Sequence, residues 1–389
     1  MICEKRKDKI CCVAYYTDAC LKSESRRENM SVMPIVDYLH EKIQAQGFEM
    51  RVIAPTETED KHKYYKSRNE CLKNGIELYS CATKGYKSRV GKAINRVVIS
   101  ISLIWNMIKN THTGDAIFVY HDPSNVAALL LAKRIRKLKY ILYFGEVYQH
   151  VYPDTCKRVK NNEWKLVRNS DAYILSAKEL KRYTGDKPYV VLNGIYKCEK
   201  SYPKMDFAHD GRINLLYGGK ISKTMGAFKA AELAWYLDGH YCIRIIGAGH
   251  RQEEDELRKI IENVNMNGHG AEVIFDGKKN GDEYKRYMQS CQIGLSTREI
   301  EKEFNMSSFP SKICSYLCNG LAVVSTPIPT VVSSQISEDI SFSKDISAES
   351  IVKAVKDSLL KFNGDQTRKK IQTLDTSFSD ELMKLLRML

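Results

Sequence analysis

A serine and a lysine at the start of one short predicted helix have the chemistry to bind a phosphate. The helix is predicted to begin at Phe309-Pro310-Ser311-Lys312, between two buried strands. Pro310 suits the first helical turn, and the Ser311 hydroxyl is expected to cap free amides. Lys312 adds positive charge at the positive end of the helix dipole, where an intervening anion would remove the repulsion. The pattern predicts a phosphate site, with an ordinary serine-capped helix and a surface lysine as the alternative.

A glycine-rich segment supports the same chemistry. It reads GGKISKTMG over residues 218–226 and follows a predicted strand. Gly219 would let a phosphate approach the backbone closely. Lys220 and Lys223 would place point charges against a diphosphate. The alternative is a tight strand-to-helix turn with two solvated lysines.

Two further glycine-containing strand ends lie in the same half of the chain. They contain Gly247 and Gly249 in IGAG, and Gly277 in FDGK. Exposed backbone at such ends would leave room for a ribose or a base, so these glycines are candidates for nucleotide binding. Each end is also compatible with a simple turn.

Polar residues follow three predicted strands in the first half. His121 follows the strand at 116–120, and Glu146 follows the strand at 140–144. The end of the first strand carries Tyr16, Thr17 and Asp18. Ligands of parallel sheets lie beyond the carboxyl ends of the strands, so all five are candidate site residues. A lone histidine at a strand end is equally compatible with a structural role.

The elements that position these residues are predicted from the pattern of the whole chain. Short apolar runs alternate with longer amphipathic stretches, which is typical of βα units. In the first half, strands are predicted at 10–16, 49–54, 116–120, 140–144, 172–175 and 189–192, and helices at 31–46, 89–110 and 124–138. In the second half, strands are predicted at 213–217, 241–246, 272–275, 293–296 and 322–326, and helices at 226–237, 251–264, 283–291, 350–361 and 380–389. The pattern predicts an α/β protein with two doubly wound, Rossmann-like domains facing a central cleft.

The domain boundaries follow from one aperiodic segment. Residues 197–212 lack periodicity and contain Pro203 and Gly211, which is typical of a linker. We therefore predict a basic acceptor-binding domain over 1–196, a nucleotide-binding domain over 213–362 and a helical tail over 363–389 that packs back on the first domain.

Composition excludes several classes of protein. A chain of 389 residues with 43% hydrophobic residues suits two globular domains and excludes a disordered protein. The charged start and the short apolar run 10–16 do not indicate a signal peptide. The twelve cysteines form no CxxC pair or Cys/His cluster, so a zinc site is not expected and a reducing cytosol is favoured. The chain contains no DxD motif, so no metal is expected at the diphosphate.

The net charge of +14 belongs to the first half. Residues 1–200 carry 36 Lys and Arg against 22 Asp and Glu, whereas residues 201–389 carry 25 of each. The basic clusters span Lys5–Lys9, Lys61–Arg68, Lys84–Arg96 and Lys133–Lys139. This asymmetry favours an anionic partner surface, either nucleic acid or acidic lipid; a merely solvated basic face is the alternative. The predicted helix 89–110 is interpreted either as a core helix or as an interfacial helix with Trp105 at headgroup depth.

Two segments resemble the nucleotide-sugar domain of GT-B glycosyltransferases, specifically bacterial polysaccharide members of glycosyltransferase family 4. YGGKISKTMG is similar to a Gly-Arg-Leu-x-x-x-Lys-Gly motif, and SSFPSKICSYLCNGLAVVST is similar to the segment that joins a phosphate-site helix to Gly-x-Pro-Val-Val. The resemblance covers residues 213–345 and extends to the first half only in layout. It assigns the donor diphosphate to Lys220 by position and to Ser311 and Lys312 as in FPSK variants. The lysine position of the family motif is occupied here by Met225, and Lys223 is offered as a substitute for that lysine.

The resemblance implies hexosyl transfer from a nucleotide diphosphate sugar, expected to be a UDP-sugar, to a glycan or a lipid-linked acceptor. It implies retention of anomeric configuration, with no metal and no cofactor. His121 or Glu146 would touch the transferred sugar or the acceptor hydroxyl, with Tyr16, Thr17 and Asp18 on the acceptor side. The expected setting is bacterial polysaccharide synthesis, at an anionic membrane on the inner face of the cytoplasmic membrane.

Two departures from the family pattern leave alternatives open. Many members carry two glutamates eight positions apart, and Ser307 and Ser315 stand at those positions here. A catalytically silent homologue that binds a nucleotide sugar or a partner enzyme is therefore the first alternative. The second is a basic nucleic-acid-binding protein, disfavoured because the basic residues are not interleaved with an aromatic stacking motif.

Overall fold

The structure is a computed structural model that describes residues 9–29, 31–268, 270–300 and 303–389. It divides into two compact units. The first holds the described residues up to Ser176, Leu180–Leu192 and Phe378–Leu389, and the second holds Ala177–Glu179 and Asn193–Ser377. The predicted basic cluster at Lys5–Lys9 lies outside the described residues except for Lys9.

The first unit contains ten strands and five α-helices in its described part before residue 192. The strands are β1 (Lys9–Val13), β2 (Glu49–Ala54), β3 (Tyr64–Tyr65), β4 (Arg68–Cys71), β5 (Glu77–Ser80), β6 (Thr83–Lys84), β7 (Ala116–Tyr120), β8 (Lys139–Phe144), β9 (Ala172–Leu175) and β10 (Tyr189–Val191). The helices are α1 (Met33–Gln44), α2 (Arg89–Asn110), α3 (Val126–Arg136), α4 (Tyr148–Val151) and α5 (Lys157–Asn169).

Eight of these strands form one sheet in the order β10-β9-β8-β7-β1-β2-β5-β4. All neighbours pair in parallel except β4, which runs antiparallel to β5 at the edge. The connections reverse direction between β1 and β7, which makes this pair the topological switch point. His121 directly follows β7, so the topology places it at the carboxyl edge where such sheets bind ligands.

The second unit is built on a six-stranded parallel sheet. Its strands are β11 (Ile213–Ile221), β12 (Tyr241–Gly249), β13 (Glu272–Phe275), β14 (Ile293–Ser296), β15 (Ala322–Ser325) and β16 (Ile340–Phe342). Its helices are α6 (Ala227–Glu232), α7 (Arg251–Asn267), α8 (Gly281–Gln289), α9 (Lys312–Cys318), α10 (Pro329–Val332) and α11 (Ala348–Lys361). A last helix, α12 (Gly364–Arg387), begins in this unit, and its residues from Phe378 belong to the first unit.

The strand order of the second sheet is β13-β12-β11-β14-β15-β16, the doubly wound order of dinucleotide-binding folds. Its switch point lies between β11 and β14, which pair through Leu215 with Ile293 and Leu216 with Gly294. Strand interiors such as AVVS in β15 are buried at every position, as expected for a sheet covered on both faces.

Most predicted elements are confirmed. The strands at 49–54, 116–120, 172–175, 272–275 and 293–296 and the helix at 89–110 have the predicted bounds. The strands β3 to β6 have no counterpart among the predicted elements, because none of their sequences is an apolar run. The helix predicted over 226–237 ends at Glu232 and continues as a 3-10 turn, and the helix predicted over 380–389 begins sixteen residues earlier, at Gly364.

The predicted ends of two strands are wrong for a physical reason. Strand β11 runs to Ile221 and β12 to Gly249, beyond the predicted ends at Tyr217 and Ile246. A Cβ atom on Gly247 would lie 1.7 Å from the carbonyl oxygen of Gly219. The glycines therefore allow the two strands to continue side by side, where the sequence pattern predicts turns.

Candidate functional site

Lys312 begins α9 and turns its ammonium group inward. Its Nζ is covered from solvent and has no hydrogen-bond partner among the residues that the structure describes. It lies 3.6 Å from the centroid of the Tyr217 ring, a cation–π contact that only partly replaces hydration. Burial and the nearby charge of Arg298 hold the pKa of Lys312 well below its usual value. A buried cation without a hydrogen-bonded anion costs desolvation free energy. This position is therefore suited to bind an anion.

Gly219 and Lys312 are brought together although they are distant in sequence. A Cβ atom on Gly219 would lie 3.3 Å from Lys312 Nζ and 3.4 Å from Cε. Gly219 has a φ of +148°, and the preceding Gly218 donates its N–H to the Tyr316 hydroxyl at 2.7 Å. The backbone near the end of β11 is thus held in place, and the missing side chain lets Lys312 approach it closely.

The predicted capping role of Ser311 is wrong. Helix α9 begins at Lys312, so Pro310 lies before the helix and not in its first turn. Ser311 has helical dihedral angles, φ −53° and ψ −23°, and its side chain makes no capping hydrogen bond. Those angles differ from the extended conformation of a capping serine. Its exposed hydroxyl remains a candidate ligand contact and not a cap.

The two lysines of the glycine-rich segment differ in their surroundings. Lys220 is exposed within β11, and its carbonyl oxygen accepts a hydrogen bond from the Tyr217 hydroxyl at 2.9 Å. Lys223 forms an ion pair with Glu256 at 2.5 Å and lies over the Phe228 ring at 5.6 Å. In this conformation Lys223 is directed to α7.

Arg298 is a residue that sequence reasoning missed. It follows β14, whose end lies beside β11 at the switch point, and its charge contributes to the lowered pKa of Lys312. The loop is tied down because Thr297 Oγ1 donates to the Gly226 carbonyl at 2.7 Å and Thr326 Oγ1 donates to the Arg298 carbonyl at 2.8 Å. The local sequence pattern does not distinguish Arg298 from the other polar residues after β14. The available signal was a basic residue at the carboxyl end of a central strand.

The three glycines predicted to bind nucleotide have other local reasons to be glycine. Gly247 lies against Gly219, and a Cβ atom on Gly249 would lie 2.4 Å from the Ile221 carbonyl oxygen. Gly277 has a φ of +65° with open space where a Cβ atom would lie, so it is a turn residue. Nucleotide contact by these glycines stays a prediction.

In the first unit, His121 faces a carboxylate that the sequence does not single out. His121 Nε2 lies 3.5 Å from Glu163 Oε1, and both side chains are buried. The imidazole packs edge-on against Phe144 with ring centroids 4.9 Å apart. Glu163 also accepts the Tyr148 N–H at 2.5 Å. A glutamate on the buried face of α5, beside Leu166 and Val167, was the available signal.

Burial acts oppositely on the pKa values of this pair. Desolvation lowers the pKa of His121 to about 4 and raises the pKa of Glu163 to about 6. The distance alone would describe an ion pair. However, the closed surroundings disfavour the imidazolium, so at neutral pH a neutral imidazole faces a carboxylate. Glu146, after β8, is half-buried and its charge further raises the pKa of Glu163, which assigns all three groups to one region.

The predicted acceptor-side residues all have local partners. The Tyr16 hydroxyl donates to Asp37 Oδ1 at 2.7 Å. Thr17 is buried and its Oγ1 contacts Met33 Sδ at 3.6 Å. Asp18 accepts the Cys20 N–H at 3.0 Å and so caps a short 3-10 helix, Ala19–Glu24. These contacts explain the residues structurally, and their acceptor role stays a prediction.

The serines at the family's glutamate positions have hydroxyl contacts of their own. Ser307 is buried and its Oγ lies 3.4 Å from the Phe304 carbonyl oxygen. Ser315 is half-buried with Oγ 3.4 Å from the Ser311 carbonyl oxygen. Within the described residues, no group of three or more His, Cys, Asp or Glu side chains is placed to hold a metal ion.

None of the described helices is long and apolar enough to cross a bilayer.

The comparisons with known proteins rest on structure alone. No protein-family model and no curated protein matches the sequence. Sucrose-phosphate synthase from Thermosynechococcus elongatus is similar over 98% of this chain and 98% of its own, with 12% identity and a TM-score of 0.68. The lipopolysaccharide outer core galactosyltransferase WaaB, in its apo form, is similar over 98% and 99% with 13% identity and a TM-score of 0.60. Anabaena Alr3699/HepE, in complex with UDP, is similar over 99% and 100% with 10% identity and a TM-score of 0.59.

These similarities extend over nearly the full length of each chain, and both units of this protein have the expected doubly wound strand order. The chain therefore has the GT-B fold, an α/β architecture of two Rossmann-like domains.

Proposed function

We propose that this protein is a hexosyltransferase that uses a nucleoside diphosphate sugar, most simply a UDP-sugar. Its acceptor is a glycan or a lipid-linked sugar in bacterial polysaccharide synthesis at an anionic membrane on the cytoplasmic side, as for the family 4 members that the FPSK segment resembles. The second unit binds the donor and the first binds the acceptor. The GT-B fold supports this proposal, as does the likeness to a galactosyltransferase and to a protein solved with UDP.

The observation that carries the proposal is the buried ammonium group of Lys312 beside Gly219. Covered from water and short of a hydrogen-bonded partner among the described residues, it is suited to a strong acceptor such as a diphosphate oxygen. Arg298, whose charge acts on Lys312, would be neutralised by the same ligand. The position matches the carboxyl edge of the switch point, where doubly wound sheets bind nucleotides.

The chemistry follows from what these groups stabilise. The acceptor oxygen forms a bond to the anomeric carbon while the bond from that carbon to the diphosphate oxygen breaks. The acceptor proton passes to the departing diphosphate on the same face, so configuration is retained. Lys312, Lys220 and Arg298 offset the charge that develops on the diphosphate, and no metal takes part. Neutral His121 accepts a hydrogen bond from a sugar hydroxyl, and Glu146 is the second candidate for that contact.

Titration calorimetry with UDP, GDP, ADP and CDP tests the donor site, with thermal unfolding on the same samples. We expect one nucleotide to bind selectively, and Lys312→Gln to weaken it about tenfold to hundredfold, the range for a lost charge-assisted hydrogen bond. Lys259→Gln, at an exposed position of α7, is the matched control. No binding by any nucleotide, or equal binding by both variants, would overturn the donor-site assignment.

The silent-homologue alternative remains because serine hydroxyls stand at positions 307 and 315. Incubation with the UDP-sugars that bind, with and without bacterial membranes, separates the two functions. Release of UDP and labelling of a membrane glycan, both lost in Lys312→Gln, would support the enzyme. Tight binding of a UDP-sugar without release of UDP under either condition would support the silent protein. Displacement of the nucleotide by RNA or DNA would instead favour the nucleic-acid alternative.

A further inference from the structure

Helix α2 in the first unit exposes an apolar face. Five large apolar side chains on it are between 46% and 70% exposed: Val90, Ile94, Val97, Ile101 and Trp105. At about 100° per residue, they fall within an arc of about 80°. Soluble proteins rarely leave such a continuous stripe in water unless it contacts something.

The orientation of α2 is fixed by polar contacts on its opposite face. Asn95 Oδ1 accepts the Lys84 N–H at 2.7 Å, and Ser102 Oγ accepts the Ala82 N–H at 2.8 Å. The Asn106 side-chain amide donates to Ser67 Oγ at 3.0 Å. Buried amides and hydroxyls that lose such partners are costly, so the helix cannot rotate its apolar stripe inward. The apolar stripe is therefore held at the surface by the packing of the first unit.

Positive charge surrounds the start of the same helix. An open recess of about 580 Å³ there is lined by Lys61, Tyr86, Lys87, Ser88, Arg89 and Lys92. Residues 78–114 contain six Lys or Arg and no Asp or Glu. The neighbouring α3 packs on α2 and exposes two further apolar residues, Leu131 and Ile135. An apolar stripe beside clustered basic residues is complementary to anionic headgroups above acyl chains.

We propose that the exposed face of α2, with the basic recess at its start, is a docking surface for an anionic lipid bilayer. The helix lies in the plane of the interface, with Trp105 at headgroup depth and the recess binding lipid phosphates. A second copy of the chain is a less suitable partner, because a two-fold contact would bring the same basic residues together from both copies. The inference rests on the proposed function only for the membrane setting, and its test involves no sugar or nucleotide.

Vesicle co-sedimentation of the full chain tests the apolar half of this surface. The probe is vesicles of phosphatidylglycerol and phosphatidylcholine in equal parts, against phosphatidylcholine alone. We expect binding to the mixed vesicles, with a blue shift of tryptophan emission, and an affinity at least about tenfold lower for Ile101→Gln/Trp105→Gln. Met266→Gln/Leu360→Gln removes two exposed apolar residues of the second unit and should bind like the unmodified protein.

A second pair of variants tests the charged half. Lys87→Gln/Arg89→Gln/Lys92→Gln should weaken binding about tenfold to hundredfold at low salt, and the difference should shrink as salt is raised. Lys204→Gln/Lys259→Gln/Lys353→Gln removes the same charge from exposed positions of the second unit and serves as the matched control. An equal loss of vesicle affinity in both triple variants would show that only the net charge matters. That result would overturn the assignment of the recess as a binding site for lipid phosphates.

Two other results would overturn the proposal. One is no binding to mixed vesicles at low salt by a folded protein. The other is a dimer in solution that Ile101→Gln/Trp105→Gln converts to a monomer with vesicle binding unchanged, which would make the face an interface between copies. Nucleotide binding by the α2 variants, measured separately, should equal that of the unmodified protein. Failure of the membrane inference and failure of the donor site are therefore distinguishable.

Discussion

Among single residues, Lys312 carries a conflict between stability and ligand binding. Its ammonium group is covered and lies against the Tyr217 ring, an arrangement that is unfavourable in the free protein. The same arrangement is favourable once an anion arrives, because the low local dielectric strengthens the new ion pair. Functional sites commonly trade stability for activity in this way.

We predict that binding of a nucleoside diphosphate is accompanied by proton uptake at Lys312. The pKa of Lys312 is lowered in the free protein, and a neighbouring diphosphate raises it again. Between the lowered pKa and the ordinary value of about 10.4, binding therefore takes up part of a proton, and affinity falls as pH rises. Calorimetry in buffers of different ionisation enthalpy measures the uptake, which Lys312→Gln should remove.

Removal of the Lys312 charge is expected to weaken nucleotide binding but to stabilise the free protein. Replacing Lys312 by Met should raise the free energy of unfolding of the free protein by about 1 to 2 kcal/mol, since an apolar side chain replaces a buried charge. Urea denaturation without nucleotide measures this. A Met variant less stable than the unmodified protein would show that the contact with Tyr217 outweighs desolvation.

The buried carboxylate of Glu163 lies close enough to His121 to act on its imidazole electrostatically. At neutral pH, ionised Glu163 faces Nε2 of a neutral imidazole at 3.5 Å. The carboxylate charge favours the tautomer that carries the proton on Nε2, in which Nδ1 is an acceptor. Glu163 is a positioning residue for His121, because it acts through the imidazole.

We predict that Glu163→Gln makes the stability of the protein depend on pH between about 4 and 6.5. The folded pKa of His121, about 4, lies below its unfolded value of about 6.5, so this group alone makes stability rise with pH by about 1.4 kcal/mol per unit. The folded pKa of Glu163, about 6, lies above its unfolded value, so its contribution falls over nearly the same range. The two contributions offset in the unmodified protein, and Gln removes only one.

Urea denaturation at a series of pH values measures this, with the exposed Glu283→Gln as the control. A flat pH profile for Glu163→Gln would mean that burial does not lower the pKa of His121.

Among the secondary-structure elements, the glycines of β11 and β12 determine how far two strands run together. The pairing continues from Ile213 with Tyr241 to Ile221 with Gly249, although Gly219 and Gly247 have positive φ values of +148° and +145°. A side chain on Gly247 would collide with the backbone of Gly219. The absence of a side chain on Gly219 also lets Lys312 approach the backbone of β11 closely.

We predict that Gly247→Ala and Gly277→Ala differ strongly in their effect on stability. The first places a methyl group 1.7 Å from a backbone oxygen and should cost about 3 kcal/mol or more in free energy of unfolding. The second has open space and costs only the positive φ, about 1 kcal/mol. Urea denaturation compares them. Equal effects would contradict the close pairing of β11 with β12.

Across the molecule as a whole, the chain contributes its last residues to the first unit. Residues from Phe378 onward belong there, and Phe378 stacks on Tyr38 of α1 with ring centroids 5.8 Å apart. Leu382 is also fully buried. The stability of the first unit therefore depends on residues synthesised after the second.

We predict that Phe378→Ala destabilises the first unit by about 3 kcal/mol, the usual cost of truncating a buried aromatic side chain. Leu360→Ala, at a position 88% exposed, should change stability by about 0.5 kcal/mol at most. Calorimetry with and without the bound nucleotide assigns the transitions. The transition that Phe378→Ala lowers should be the one that nucleotide does not raise. If Phe378→Ala lowers the nucleotide-sensitive transition, the C-terminal residues stabilise the second unit instead.

Local sequence patterns were enough to locate most elements and the edge of each sheet where ligands are expected. Apolar runs such as AIFVY over residues 116–120 are local signals, because burial on both faces imposes one residue type along the strand. Lys312, Gly219 and His121 could be singled out for the same reason, since each lies at or beside one terminus of a predicted element. The excess of positive charge in residues 1–200 could also be read directly from the sequence.

What those residues contact depends on how distant segments pack, which local patterns do not encode. Glu163 and His121 lie on different elements, and Arg298 acts on Lys312 from the end of another strand, so no sequence spacing could pair them. The strand ends at Ile221 and Gly249 were likewise set by a backbone contact between β11 and β12.

The face of α2 that meets the solvent is likewise determined by tertiary contacts. Asn95, Ser102 and Asn106 form hydrogen bonds with residues outside the helix. Periodicity locates a helix, but the partners of its polar residues determine which side meets the solvent.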